Sequence, residues 1–127
     1  IILRNNAQIN NFNGSSTVNL AAPVAADGAG DWGGILFYQD RDTSDDCTGN
    51  NCNTLNGNSD STFQGAVYFP NQEINVNGGN VTTSTCLQIV AKRIAFSGSS
   101  TMLADTDGCE DAGVDPIEVP GRIKLVE

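Results

Sequence analysis

The sequence predicts an all-β fold, a single β-solenoid of the right-handed parallel β-helix type. Three observations lead there. A short motif recurs, in which a glycine or small residue leads into an aliphatic-aromatic run that ends in polar residues. It reads Gly33-Gly34-Ile35-Leu36-Phe37-Tyr38 within residues 31–40 and Gly65-Ala66-Val67-Tyr68-Phe69 within residues 64–73. A looser copy, Cys86-Leu87-Gln88-Ile89-Val90-Ala91, lies within residues 86–93. Next, the turn glycines Gly57, Gly78 and Gly98 recur at nearly equal intervals. Finally, Ile74-x-Val76 and Ile94-x-Phe96 alternate, which puts two apolar side chains on one face of a strand. Two short strands and a turn per period of about 20 residues describe one coil of a solenoid, which buries its apolar face only by stacking on neighbouring coils. The alternative is a β-sandwich or jelly roll, for which strands spaced by about 8–12 residues are also expected.

Taken in order, residues 1–14 mix polar and apolar residues and end in the turn signal Asn13-Gly14. Residues 17–20 read as one short strand with Val18 and Leu20 on one face. Residues 21–30 are rich in Ala and Gly, include Pro23, and read as a loop. A strand follows over residues 34–38. Residues 40–53 interrupt the repeat with Asp40-Arg41-Asp42-Thr43-Ser44-Asp45-Asp46-Cys47 and run on through Cys52, an inserted acidic loop closed by its own cysteines. Phe37 and Phe69 are separated by more than one period, but the separation falls close to the common period once this insert is subtracted. The interior is expected to be lined by Ile35, Phe37, Val67, Phe69, Ile74, Val76, Leu87, Ile89, Ile94 and Phe96. Residues 1–127 are read as one domain.

Composition narrows the function. Six Lys and Arg stand against fifteen Asp and Glu, a formal net charge of −9. Phosphate-rich partners need dense cationic surfaces, so nucleic acid is not expected, and an anionic membrane surface would repel the chain. The chain has no histidine, the usual general base of Ser and Cys hydrolases and the commonest zinc ligand. Apolar runs are too short to span a bilayer.

The four cysteines, Cys47, Cys52, Cys86 and Cys109, have no histidine to complete a zinc site and no paired CxxC spacing. Two disulfides are expected, and with them an oxidising compartment. Cys47 with Cys52 would close the acidic loop. The separation of Cys86 from Cys109 is close to one coil, which brings the chain back to the same side one layer on. Layers stack at about 4.8 Å, within the Cα separations a disulfide accepts.

The order of the pieces Gly33-Gly34-Ile35-Leu36-Phe37-Tyr38-Gln39-Asp40-Arg41, Leu55-Asn56-Gly57, Gly65-Ala66-Val67-Tyr68-Phe69-Pro70-Asn71 and Cys86-Leu87-Gln88-Ile89-Val90-Ala91 resembles the C-terminal domain of TadG-like proteins. The closing Arg122-Ile123-Lys124-Leu125-Val126-Glu127 is also similar to the ends of those chains. These belong to the TadE/TadG group of bacterial Flp (Tad) pilus assembly. The resemblance covers residues 31–127. It implies a non-catalytic envelope module facing the periplasm, cell surface or medium, with other envelope or pilus proteins as partners. Any membrane anchor would lie upstream of Ile1, leaving no membrane contact within these residues.

Several candidate sites remain. Trp32, Phe37, Tyr38, Tyr68 and Phe69 suit a sugar-stacking platform, while core packing is the competing use of such rings; alternation puts about half of them inside, and an exposed row of Tyr38 and Tyr68 would be a surface for a glycan or another protein subunit. Asp40, Asp42, Asp45 and Asp46 supply carboxylates for a polysaccharide-cleaving β-helix enzyme. A glycosidase, however, holds its pair on rigid elements, and a solvated acidic loop accounts for them more simply. No catalytic activity is therefore expected. Asp105-Thr106-Asp107-Gly108 with Glu110 and Asp111 has the look of a calcium loop, since hard oxygens around a glycine suit Ca²⁺. The motif is incomplete, with Pro116 where the closing Glu belongs, and a solvated acidic turn competes with it. Otherwise no cofactor is expected. Asn13-Gly14-Ser15 and Asn80-Val81-Thr82 match the glycosylation acceptor pattern.

Overall fold

The computed structural model describes residues 1–9, 16–47, 52–56, 60–77, 86–98, 108–110 and 113–114. Six strands form a curled, all-parallel sheet: β1 (Ile2–Leu3), β2 (Asn19–Ala21), β3 (Ile35–Gln39), β4 (Asn53–Asn56), β5 (Thr62–Asn77) and β6 (Leu87–Ser97). Two single 3-10 turns, Ala25–Asp27 and Gly30–Trp32, fill the stretch read as a loop. Every strand pairing among the described residues is parallel, whereas a sandwich is built from antiparallel pairs.

β5 organises the sheet. Its start pairs with β2, its middle with β3 and its end with β4, while β6 runs along its other edge. Side chains therefore stand in register across layers. One column is Ile2, Tyr38, Tyr68 and Val90; another is Leu55, Val76 and Phe96. Thr54 N–H donates to Ile9 O at 2.9 Å, extending the β4 side one layer back. The β5–β6 register breaks between Phe69 and Glu73, around Pro70, which has no N–H for a ladder.

The glycines that head the motif have a geometric reason. Gly65 has φ +123°, and a Cβ there would lie 2.5 Å from Ala22 Cβ and 2.9 Å from Gly34 O. Gly34, at φ +75°, would meet Gly113 O at 2.6 Å. Only glycine suits such backbone angles and so close an approach.

The core holds Phe37, Val67, Phe69, Leu55, Ile74 and Val76, with Ile9, Leu36, Phe63 and Leu87 around them. Three of the expected interior positions need correction. Ile35 is only half-buried and lines an outer groove, and Leu36 takes the interior place. The β3–β5 register shifts between Ile35 and Phe37, and such a bulge turns neighbouring side chains to the other face. Ile94 and Phe96 are 42% and 57% exposed although they stand in register with buried Ile74 and Val76. Their strand is the last described layer, so the column has a neighbour on one side only.

At the corner after β3, amides replace the apolar core. Gln39 Nε2 donates to Gln72 Oε1 at 2.7 Å and to Ala7 O at 3.2 Å; Asn53 Nδ2 donates to Gln72 Oε1 at 3.0 Å; Gln72 Nε2 donates to Ser44 O at 2.7 Å. All three amide side chains are buried, so these bonds hold three successive layers where hydration is lost.

Candidate binding surface

Alternation along β3 and β5 sends Phe37 and Phe69 inward and leaves Tyr38 and Tyr68 half-buried on the outer face. Parallel register places the two tyrosines side by side, with ring centroids 5.4 Å apart and planes 19° from parallel. Trp32, at the end of the second 3-10 turn, meets Tyr38 edge-on at 5.2 Å and 80°. The Arg41 guanidinium lies 5.7 Å from the Tyr68 ring centroid, within cation-π range. The two tyrosine rings thus turn a face to each other, and Arg41 lies over that of Tyr68. Beside this ladder runs an open, mainly apolar groove of about 270 Å³ bounded by Ile35, Tyr38, Arg41, Ala66, Tyr68 and Val90. Neither Ile35 nor Val90 is marked as a groove residue in the sequence, because a bulge turns one outward and the other is on the last described layer.

The cysteines meet in two pairs. Cys47 and Cys52 have Cα atoms 4.9 Å apart, and Cys86 and Cys109 4.7 Å apart, each pair joined by a disulfide. Cys86, Cys109 and Val114 form a small second cluster against Ala66, one of the groove residues. Two disulfides point to an oxidising, extracytoplasmic environment. Among the described residues no helix is long and apolar enough to cross a membrane.

The acidic loop does not gather all four of its carboxylates: Asp40 and Asp42 line one polar concavity, whereas Asp45 turns to β6. Asp40 is half-buried, while Asp42, Asp45 and Asp46 are exposed. Asp45 forms an ion pair with Lys92 of β6, which clasps the loop to the last described layer, and Glu73 of β5 pairs with Arg93 of β6 at 2.9 Å. The Lys92 ammonium, hydrogen-bonded to Asp45, holds that carboxyl below its usual pKa. Of the candidate calcium loop, Glu110 is exposed in a turn, and Asp105, Asp107 and Asp111 lie outside the described residues, as do Asn13 and Asn80. No group of three or more His, Cys, Asp or Glu side chains placed to hold a metal occurs among the described residues. Comparison with models of protein families, with curated proteins and with solved structures finds no match to this chain.

Proposed function

We propose that this chain is a non-catalytic, extracytoplasmic structural or adhesive module of a bacterial envelope, built as a right-handed β-solenoid and associated with Tad-type pili. The solenoid reading rests on parallel, in-register layers that return each column of side chains at β3, β5 and β6. Its place outside the cytoplasm rests on the two disulfides, and the link to TadG-like pilus-assembly proteins on the ordered motifs of residues 31–127 alone.

The observation that carries the adhesive role is the outer groove. An apolar trough edged by two tyrosines and an arginine, with a disulfide packed against its Ala66 wall, has the composition of a protein-contact hot spot. Because the two tyrosine rings already face each other and Arg41 lies over Tyr68, an envelope or pilus protein fits this groove better than a sugar ring does. The test is a photo-crosslinker placed at Val90 and at Ile35 in bacteria that express the protein. Adducts with a pilus or envelope protein that vanish on Arg41→Glu support the reading. Binding of the purified domain to a glycan array, lost on Tyr68→Ala, would favour a polysaccharide-binding protein instead. Release of reducing ends from a polysaccharide would defeat the non-catalytic assignment.

A further inference from the structure

Two turns stack at one end of the sheet. Leu3 and Gln39, the last residues of β1 and β3, are register partners, and Asp40 N–H donates to Leu3 O at 3.0 Å. Each chain then turns at once. Ala7 N–H closes the first turn on Arg4 O at 3.0 Å, and Thr43 N–H closes the second on Asp40 O at 3.1 Å. Asn5 and Asn6 both sit in the left-handed region, at φ 54° and 61°, and Asn6 Oδ1 accepts from Ser44 N–H at 2.9 Å across the two turns. Between them lies a polar concavity of about 300 Å³ lined by Asn5, Asn6, Asp40, Asp42 and Thr43.

Three features of this concavity ask for a cation. Both carboxylates lack an ionic partner: the ion pairs among the described residues join Lys92 to Asp45 and Arg93 to Glu73, and Arg41, between the two acids, turns its guanidinium to the Tyr68 ring. Thr43 is only 4% exposed, lines the concavity, and its buried hydroxyl has no hydrogen-bond partner. A buried oxygen left unsatisfied is costly, and a bound ion is one of the ways it is satisfied. The lower turn is also held in shape before any ligand arrives, since Asn71 Nδ2 donates to Arg41 O and, at 3.2 Å, to Thr43 O.

We propose that these stacked turns form a calcium site, with Asp40 and Asp42 supplying charge and Asn5, Asn6 and the Thr43 hydroxyl supplying neutral oxygens. Hard oxygen donors of mixed charge suit Ca²⁺, which accepts irregular coordination of about 6–8 oxygens, including water. Magnesium demands near-ideal octahedral geometry, and zinc prefers nitrogen and sulfur donors. The net charge of −9 draws cations toward the surface.

The experiment is calorimetric titration of the chelator-stripped protein with calcium chloride, paired with thermal unfolding. Binding is expected with Kd of about 10⁻⁴–10⁻³ M, the range of extracellular modules, together with a saturable rise in Tm that magnesium reproduces weakly. Asp42→Asn, at an exposed position, should weaken binding about tenfold or more. Thr43→Val separates this site from a merely structural threonine: without calcium it should melt no lower than the parent, yet bind calcium more weakly. Glu110→Gln and Asp45→Asn should bind as the parent does. No heat and no Tm shift at about 10 mM calcium, or undiminished binding by Asp42→Asn and Thr43→Val, would overturn the site. Loss of binding in Glu110→Gln would place the ion at the C-terminal acidic turn and equally overturn it.

Discussion

Asp45 illustrates how a single exposed side chain ties the insert to the sheet. Its hydrogen bond and charge attraction to Lys92 favour the carboxylate, with Arg93 adding a smaller attraction, so the folded pKa lies below the ordinary 3.8. A group whose pKa falls on folding stabilises the fold above its unfolded value and loses that contribution as pH drops through the folded one. The pair is exposed and should be screened by salt. Carboxyl-carbon NMR should therefore find Asp45 titrating below the unfolded range, and Lys92→Ala should return it upward. An unchanged Asp45 titration in Lys92→Ala would refute the pairing. Phe69 stands at the opposite extreme. It is fully buried in the main core, and Phe69→Ala should cost about 3–5 kcal/mol in chemical denaturation. The aromatic motif announces that residue in the sequence. The inward turn of Leu36 in place of Ile35 is not announced, because a bulge is set by how two strands fit and not by either strand alone.

Among the elements, the disulfides divide the labour by loop length. On the chain-entropy account, closing a sequence separation of 5 gains roughly 2 kcal/mol and a separation of 23 roughly 3.5 kcal/mol. Paired Cys86→Ser and Cys109→Ser replacement should consequently lower stability more than Cys47→Ser with Cys52→Ser. Non-reducing peptide mapping of the parent should link Cys47 only to Cys52 and Cys86 only to Cys109; a cross-link between the two pairs would contradict the structure. The Cys86–Cys109 bond also backs Ala66, so its loss should loosen the groove wall. β6 follows a different rule. Val90, Ile94 and Phe96 leave apolar surface at the last described layer, while Lys92 and Arg93 on the same strand pair with Asp45 and Glu73.

For the molecule as a whole, a sheet whose strand pairs are all parallel among the described residues draws its ladder contacts from residues distant in sequence. Pairs such as Leu20 with Phe63 and Ile2 with Tyr38 close long loops before any ladder forms. Stability should therefore concentrate where layers are flanked on both sides. Native-state hydrogen exchange should find the amides of β5, paired along both edges, slowest and those of the short β1 and β2 fastest. Uniform protection across the strands would show that β5 is not the organising element. The same layering brings the turn after β1 onto the turn after β3 and so assembles the proposed calcium site from residues 5–6 and 40–43.

The local code is written in the chain itself. Apolar alternation around Ile74 and Val76, the recurring glycine-led motif and the even cysteine number mark strands, corners and an oxidising environment, because each depends on near-neighbour sterics or side-chain chemistry. Whatever depends on neighbouring layers was settled by the fold. Ile94 and Phe96 carry the same alternation as Ile74 and Val76 yet stand open to solvent, since burial requires a layer on each side. Tyr38 and Tyr68 were legible as an outer pair, but their mutual stacking, Arg41 over one ring and the groove beside them follow from register between strands on either side of the acidic insert. Asn5 and Asn6 bear no signal at all until parallel pairing of Leu3 with Gln39 sets them above Asp40 and Asp42. Sequence spacing records what a residue does along its own strand, and only the stacking of strands determines what it faces.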